Sequence, residues 1–134
     1  MTKTRIVFLL LLLFIPPLSF GQASRTTTAA NKSWPTFWKQ FRAAVNKLNR
    51  AAIKRMMANP FDSGGGGNYT PSKWIKFLDV ENYWGEVQQS VATGTISFPE
   101  YSREIGKPSR VTNRRHLIFI FSKGRWRWAA VMGD

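Results

Sequence analysis

One histidine, His116, and seven carboxylates are the chain's usual acids, bases and metal ligands, and there is no cysteine. The missing thiols exclude a disulfide scaffold, a thiolate metal site and a cysteine nucleophile. One imidazole with scattered carboxylates does not close a tetrahedral zinc shell, so neither a metal site nor a cofactor is expected. Asp79 and Glu81 are two apart and fall on different faces of a helix. Glu100 and Glu104 are four apart, but Pro99 and the polar stretch after it do not make a rigid pair. No nucleophile stands in a pattern with its base and orienting group, so no catalytic residue is assigned. The run Gly64 to Gly67 is followed by Asn68-Tyr69-Thr70-Pro71. A phosphate cradle would need Lys and Ser or Thr opening a helix there, and a mobile surface loop is expected instead.

Charge is the more informative chemistry. Lysine and arginine number 20 against 7 acids, a net charge of +13. Lys39, Arg42, Lys47, Arg50, Lys54 and Arg55 fall in a stretch, 33–61, that contains no acid. Within it, Lys39, Arg42, Arg50 and Lys54 gather on one side of a continuous helix, with Phe37, Phe41, Ala44 and Leu48 on another. Such a face suits an anionic partner: a lipid surface, a cell-wall polymer or nucleic acid. A merely solvated face of a basic protein gives the same pattern. A second basic group comprises Arg110, Arg114, Arg115, Lys123, Arg125 and Arg127. The aromatic residues between these bases recur at core spacing, which reads as packing rather than as stacking platforms.

The elements that would position these groups begin after a leader. Lys3 and Arg5, the apolar run Ile6 to Ile15, and Pro16-Pro17 make a secretory signal peptide over residues 1–21, cut after Gly21 or Ala23. The run is about half the ~20 residues of a membrane-spanning helix, so the mature chain has no transmembrane span. Residues 22–32, polar and small, read as a disordered leader, and 33–134 as a single domain.

Ser33 or Trp34 caps the first helix, with Pro35 in its opening turn. Trp34, Phe37, Trp38, Phe41, Val45 and Leu48 form its apolar face. The stripe continues through Ala52, Ile53, Met56 and Met57 to Asn59-Pro60, giving two helices at 35–48 and 50–58, or one kinked helix. Thr70-Pro71-Ser72 opens a third helix, buried through Trp74, Ile75, Phe77 and Leu78. Residues 79–93 are ambiguous, Thr95 to Phe98 suits a short strand, and 102–114 reads as a loop. Leu117, Phe119 and Phe121, a turn at Ser122 to Arg125, then Trp126, Trp128, Ala130 and Met132 make a β-hairpin.

Phe37-Trp38-Lys39-Gln40-Phe41-Arg42-Ala43-Ala44-Val45 leading into Arg50-Ala51-Ala52-Ile53, with the hairpin from Ile118-Phe119-Ile120-Phe121 to Trp126-Arg127-Trp128-Ala129-Ala130-Val131, resembles the nuclear transport factor 2-like superfamily. Asn59-Pro60-Phe61 is similar to a Pro-Phe step in its secreted bacterial members. The resemblance implies a curved antiparallel sheet wrapped around N-terminal helices into a cone with an open pocket. It also implies that any catalytic Asp, His or Tyr would lie in that cone, making Asp79, Tyr83, Tyr101 and His116 the pocket candidates, with Glu81 beside them. The superfamily hosts both enzymes and binders, so the fold does not choose between them.

The expectation is therefore an α+β domain with N-terminal helices on a curved antiparallel sheet and a C-terminal β-hairpin. Its function is expected to be secreted or periplasmic binding, more in keeping with a non-enzyme, with an anionic surface or polymer, or the product of an adjacent gene, as partner. The chain is also compatible with a homodimer. The alternative is a small pocket enzyme of isomerase, dehydratase or hydrolase type that uses a carboxylate in the cone.

Overall fold

A computed structural model describes residues 18–133, with side chains from Arg25 onward. Residues 1–17 of the expected signal peptide lie outside the described residues. Among those described, five helices accompany a six-stranded mixed sheet, so the domain is α+β. No described helix is long and apolar enough to cross a membrane.

Helix α1 (Leu18–Asn46) is longer than the sequence suggests, because residues 22–32 continue it rather than forming a disordered leader. Ala30 and Trp34 stand one helical turn apart, and both are buried against the sheet. The indole N–H of Trp126 donates to the Ala30 carbonyl at 2.8 Å in the buried interior. That tie holds a segment whose own composition gives little hydrophobic drive. Pro35 consequently sits inside the helix and not in its first turn. The Ser33 hydroxyl donates back to the Ala29 carbonyl at 2.9 Å, as serines on bent helices often do.

Leu48 ends α1 with a positive φ of 52°. The Asn49 N–H reaches back to the Ala44 carbonyl and the Leu48 N–H to that of Val45, the paired bonds of a helix C-terminal motif. Asn49 then caps α2 (Arg50–Arg55) by accepting from the Ala52 N–H at 3.1 Å. Met56 closes this short helix. The expected helix at 50–58 is therefore corrected, since Met57 onward belongs to strand β1 (Met57–Asp62). Met57 and Phe61 are buried there, and Pro60 between them has no N–H for a further helical turn and turns Asn59 away from the helical region.

Strand β2 (Asn68–Tyr69) pairs back on β1 across the glycine run. The run is held at its two ends. The Ser63 hydroxyl donates to the Gly67 carbonyl at 2.9 Å, and Gly64 has a φ of +74°. A Cβ on Gly64 would collide with Val131 O and Gly133 N, so glycine is needed where two backbones touch. A Cβ on Gly65 or Gly66 would meet nothing.

Helix α3 (Pro71–Val80) is capped by Thr70, and α4 (Trp84–Ala92) follows a turn in which Asn82 has a positive φ. Strand β3 (Thr95–Ser97) leads into α5 (Pro99–Ile105) and β4 (Ser109–Thr112). The segment 102–114, expected as a loop, thus holds the end of a helix and a whole strand. Gly106 stops α5 in the left-handed conformation, and Ser109, Val111 and Thr112 are buried. The strand was hidden because only one of its four residues is a large apolar one.

Strands β5 (Leu117–Ser122) and β6 (Arg125–Val131) pair antiparallel from Leu117↔Val131 to Ser122↔Arg125. The strand order is β2-β1-β6-β5-β4-β3. Contact between β1 and β6 is parallel, so the expected purely antiparallel sheet is corrected to a mixed one. The β1–β6 register shifts between Met57 and Asp62, the stretch that contains Pro60, which has no N–H to give the ladder. Leu117, Phe119, Phe121, Trp126 and Trp128 face the helices, while Ile118 and Ala130 join Phe98 and Val111 in a smaller cluster.

Candidate functional site

The β4–β5 turn delivers the chain's histidine to helix α4. Thr112, fully buried, accepts through Oγ1 from the backbone N–H groups of His116 (3.1 Å) and Leu117 (3.0 Å). Arg115 makes the turn with a φ of 54°, and its N–H donates to the Thr112 carbonyl. Asn113 ties the same turn to α4 by donating to the Thr93 carbonyl. The imidazole is thus aimed from a fixed backbone. Its Nδ1 lies 2.8 Å from Ser90 Oγ on α4.

Ser90 follows Val87 by one helical turn and shares its buried face, with only 2% of its surface exposed. Beside this pair opens a cavity of ≈ 620 Å³. Trp74, Phe77 and Leu78 of α3 and Tyr83 and Val87 around the start of α4 give it apolar walls. The stacked rings of Trp74 and Phe77 (5.0 Å) and of Phe77 and Tyr83 (5.8 Å) make one aromatic side. Trp74 Nε1 is a buried donor for which no described group supplies an acceptor. Arg114, Arg115 and Glu86, all exposed, and Met132 beyond the end of β6 also line it. Arg114 donates to Gln89 at 3.2 Å, and the Arg115 guanidinium lies 5.8 Å from the Phe98 ring centre.

Of the four pocket candidates, Tyr83 and His116 meet in this cavity and the other two do not. Asp79 lies on the far side of α3, where it accepts from Arg50 Nε at 2.8 Å and from the Trp84 indole at 2.7 Å. Those bonds hold its carboxyl below the ordinary aspartate range, with Arg50 the larger cause. They also raise the Arg50 guanidinium above its ordinary value. Tyr101 stacks on Phe98 at 5.4 Å in the smaller cluster behind the sheet. Burial is the main reason its hydroxyl is pushed above the ordinary tyrosine value, with the charges of Asp62 and Glu104 adding to it. Glu81 is exposed in the turn before α4.

The expected anionic-partner face is also rearranged. The break at Leu48 and Asn49 puts Lys39 and Arg42 on one helix and Arg50 and Lys54 on another, so one continuous basic stripe does not form. All four side chains are exposed, but Arg50 already holds the Asp79 carboxylate at 2.7 Å.

Ser90 and Glu86 escaped the sequence reading. A serine on an otherwise apolar helical face is the signal that could have marked Ser90, but α4 itself was left ambiguous by Gly85 and Gly94. Among the described residues no group of three His, Cys, Asp or Glu side chains is placed to hold a metal ion. No protein-family model, curated protein or solved structure matches the chain.

Proposed function

We propose that this chain is a secreted or periplasmic, non-catalytic binding domain whose cavity receives a small aromatic or amphipathic anion. The observation that carries the reading is the composition of the cavity wall. Rings of Trp74, Phe77 and Tyr83 lie on one side, and Ser90, His116, Arg114 and Arg115 on the other. Its ≈ 620 Å³ falls within the roughly 300–1,000 Å³ of small-molecule sites, where apolar walls and few polar groups set orientation. The rings would hold an apolar body, and the arginines at the rim would meet a carboxylate or sulfonate. The net charge, +11 once Lys3 and Arg5 leave with the signal peptide, adds long-range attraction for such a ligand. Helices set against one side of a sheet whose end leaves a cavity also support the nuclear transport factor 2-like cone, which belongs to the same proposal.

A pocket enzyme is the second reading, favoured by Glu86 standing in the same wall as Tyr83 and His116. It ranks lower because the Glu86 side chain is exposed and water solvates it, whereas proton transfer at neutral pH is helped by a carboxylate whose surroundings hold it away from water.

Anilinonaphthalene sulfonate, an aromatic anion that brightens in apolar surroundings, tests the reading directly. One molecule per chain should bind. Arg114→Glu with Arg115→Glu should weaken it about tenfold, equivalent to ~1.4 kcal/mol. Met132→Trp, which fills the cavity from its wall, should abolish it. Binding that ignores both changes would remove the cavity from the proposal.

A further inference from the structure

A second concave surface runs along the other end of α1. Two cavities, ≈ 530 and ≈ 870 Å³, abut there and share Thr26, Gly106, Lys107 and Pro108. One wall is the α1 segment from Arg25 to Ser33, and the other is built from the α5–β4 connection and the β5–β6 turn. The charged side chains in the lining are Arg25, Lys32, Arg103, Lys107, Arg110 and Lys123, and among the described residues no acid joins them. Helix α5 explains this. Pro99, Ser102, Arg103 and Gly106 face the groove at spacings of three, one and three, which leaves Glu100 and Glu104 off its wall.

Arg110 gives the groove a fixed cation at its inner side. Its guanidinium lies 4.9 Å from the Trp34 ring centre, and its Nε is buried with no hydrogen-bond acceptor among the described residues. Burial accordingly moves Arg110 below the ordinary arginine value. The wall behind it does not drift, because Ala30 and Trp34 of α1 are pinned to Trp126. Between the cations lie neutral hydrogen-bonding groups, including Thr26, Thr27, Asn31 and Ser97.

We infer that this groove binds a strand of acidic polysaccharide. Six cations without an acid select a polyanion. A concave trough suits a single strand and cannot lie flat on a bilayer. The rings in its lining, Phe98 and Phe121, are 9% and 5% exposed, too buried to stack on the bases of single-stranded nucleic acid. Hydroxyl and amide groups between the cations match a polymer that carries sugar hydroxyls between its acids. The groove is separate from the Ser90–His116 cavity and does not depend on what that cavity holds.

The experiment uses the purified chain with a fluorescent oligogalacturonate, followed by anisotropy, and a thymidine oligonucleotide of equal charge beside it. The oligouronate should bind, weaken as salt rises because screening acts on exposed charges, and leave bound anilinonaphthalene sulfonate in place. Lys107→Glu with Lys123→Glu should weaken it at least about tenfold, while Lys39→Glu with Arg42→Glu, outside the groove, should leave it within about twofold. Should the first pair not fold by circular dichroism, Arg25→Glu with Lys32→Glu on the facing wall carries the same expectation. Binding unchanged by the groove reversals, tighter binding of the oligonucleotide, or displacement of the sulfonate by the sugar would each overturn the inference.

Discussion

The centre of the sheet under α1 and the junction between α4 and the β4–β5 turn are built on opposite principles. Under α1, Trp34, Phe37, Trp38 and Phe41 meet Phe119, Trp126 and Trp128 mainly through their rings, with Trp34–Trp126 centres 4.7 Å apart and Phe41–Phe119 5.0 Å apart. The Trp126–Ala30 bond adds a polar tie there. At the α4 junction, Ser90, Thr112 and His116 meet through hydrogen bonds beside an open cavity. Rings that fill space give stability but leave no vacancy for a ligand. Polar groups that hold a turn in place give geometry and leave a cavity beside them. Stability and ligand binding should therefore separate when the two regions are mutated.

The largest effect should come from the ring cluster. Trp128 is fully buried between Phe41 and Phe61, and Trp128→Ala should cost about 3–5 kcal/mol in a denaturant titration. At temperatures where the variant is still folded, its affinity for anilinonaphthalene sulfonate should stay close to that of the parent. A loss of binding without a loss of stability would break the comparison at its root.

The same contrast explains what the sequence made legible. The ring cluster was readable because its residues recur at helical spacing in 34–45 and alternate in 117–132, so periodicity alone assigns the second half of α1 and the hairpin. Parallel pairing of β1 with β6 was not readable, since Asn59-Pro60 looks like a helix end until tertiary contact with β6 supplies the partner strand. The helical course of 22–32 depends on a bond to Trp126, 96 residues away from Ala30, and no local pattern announces it. Of the residues lining the cavity, His116 and Tyr83 stood among the sequence candidates and Ser90 did not. Asp79 was a pocket candidate through the superfamily resemblance alone, and Arg50 lies close enough in space to claim it.

An intermediate effect should follow from the turn. Thr112→Val keeps the shape of the side chain and removes the acceptor for the His116 and Leu117 N–H groups. Leaving such buried donors unpaired should cost about 2 kcal/mol. Unlike the tryptophan change, it should also weaken sulfonate binding, because the imidazole loses the backbone bond that aims it. Nitrogen chemical shifts of the His116 ring report that movement directly. A destabilised variant with unchanged ring shifts and unchanged affinity would make Thr112 a packing residue and nothing more.

The smallest effect belongs to the ion pair that removed Asp79 from the cavity. Arg50 and Asp79 are 48% and 37% exposed in their side chains, so solvent screens the pair and its worth is low. Its pH signature is nevertheless specific. The Asp79 carboxyl is held below its ordinary range by Arg50 first and the Trp84 indole second. A carboxyl lowered in the folded state contributes stability above the unfolded value, and that contribution is lost as pH falls through the folded one. The parent should therefore lose slightly more thermal stability between neutral and acid pH than Asp79→Asn, which has no charge to protonate. Asp79→Asn should leave sulfonate affinity untouched, since the residue is outside the cavity wall. Identical acid losses in the two proteins would show that the pair contributes nothing measurable. A fall in sulfonate affinity would return Asp79 to the site and blur the line between the two regions.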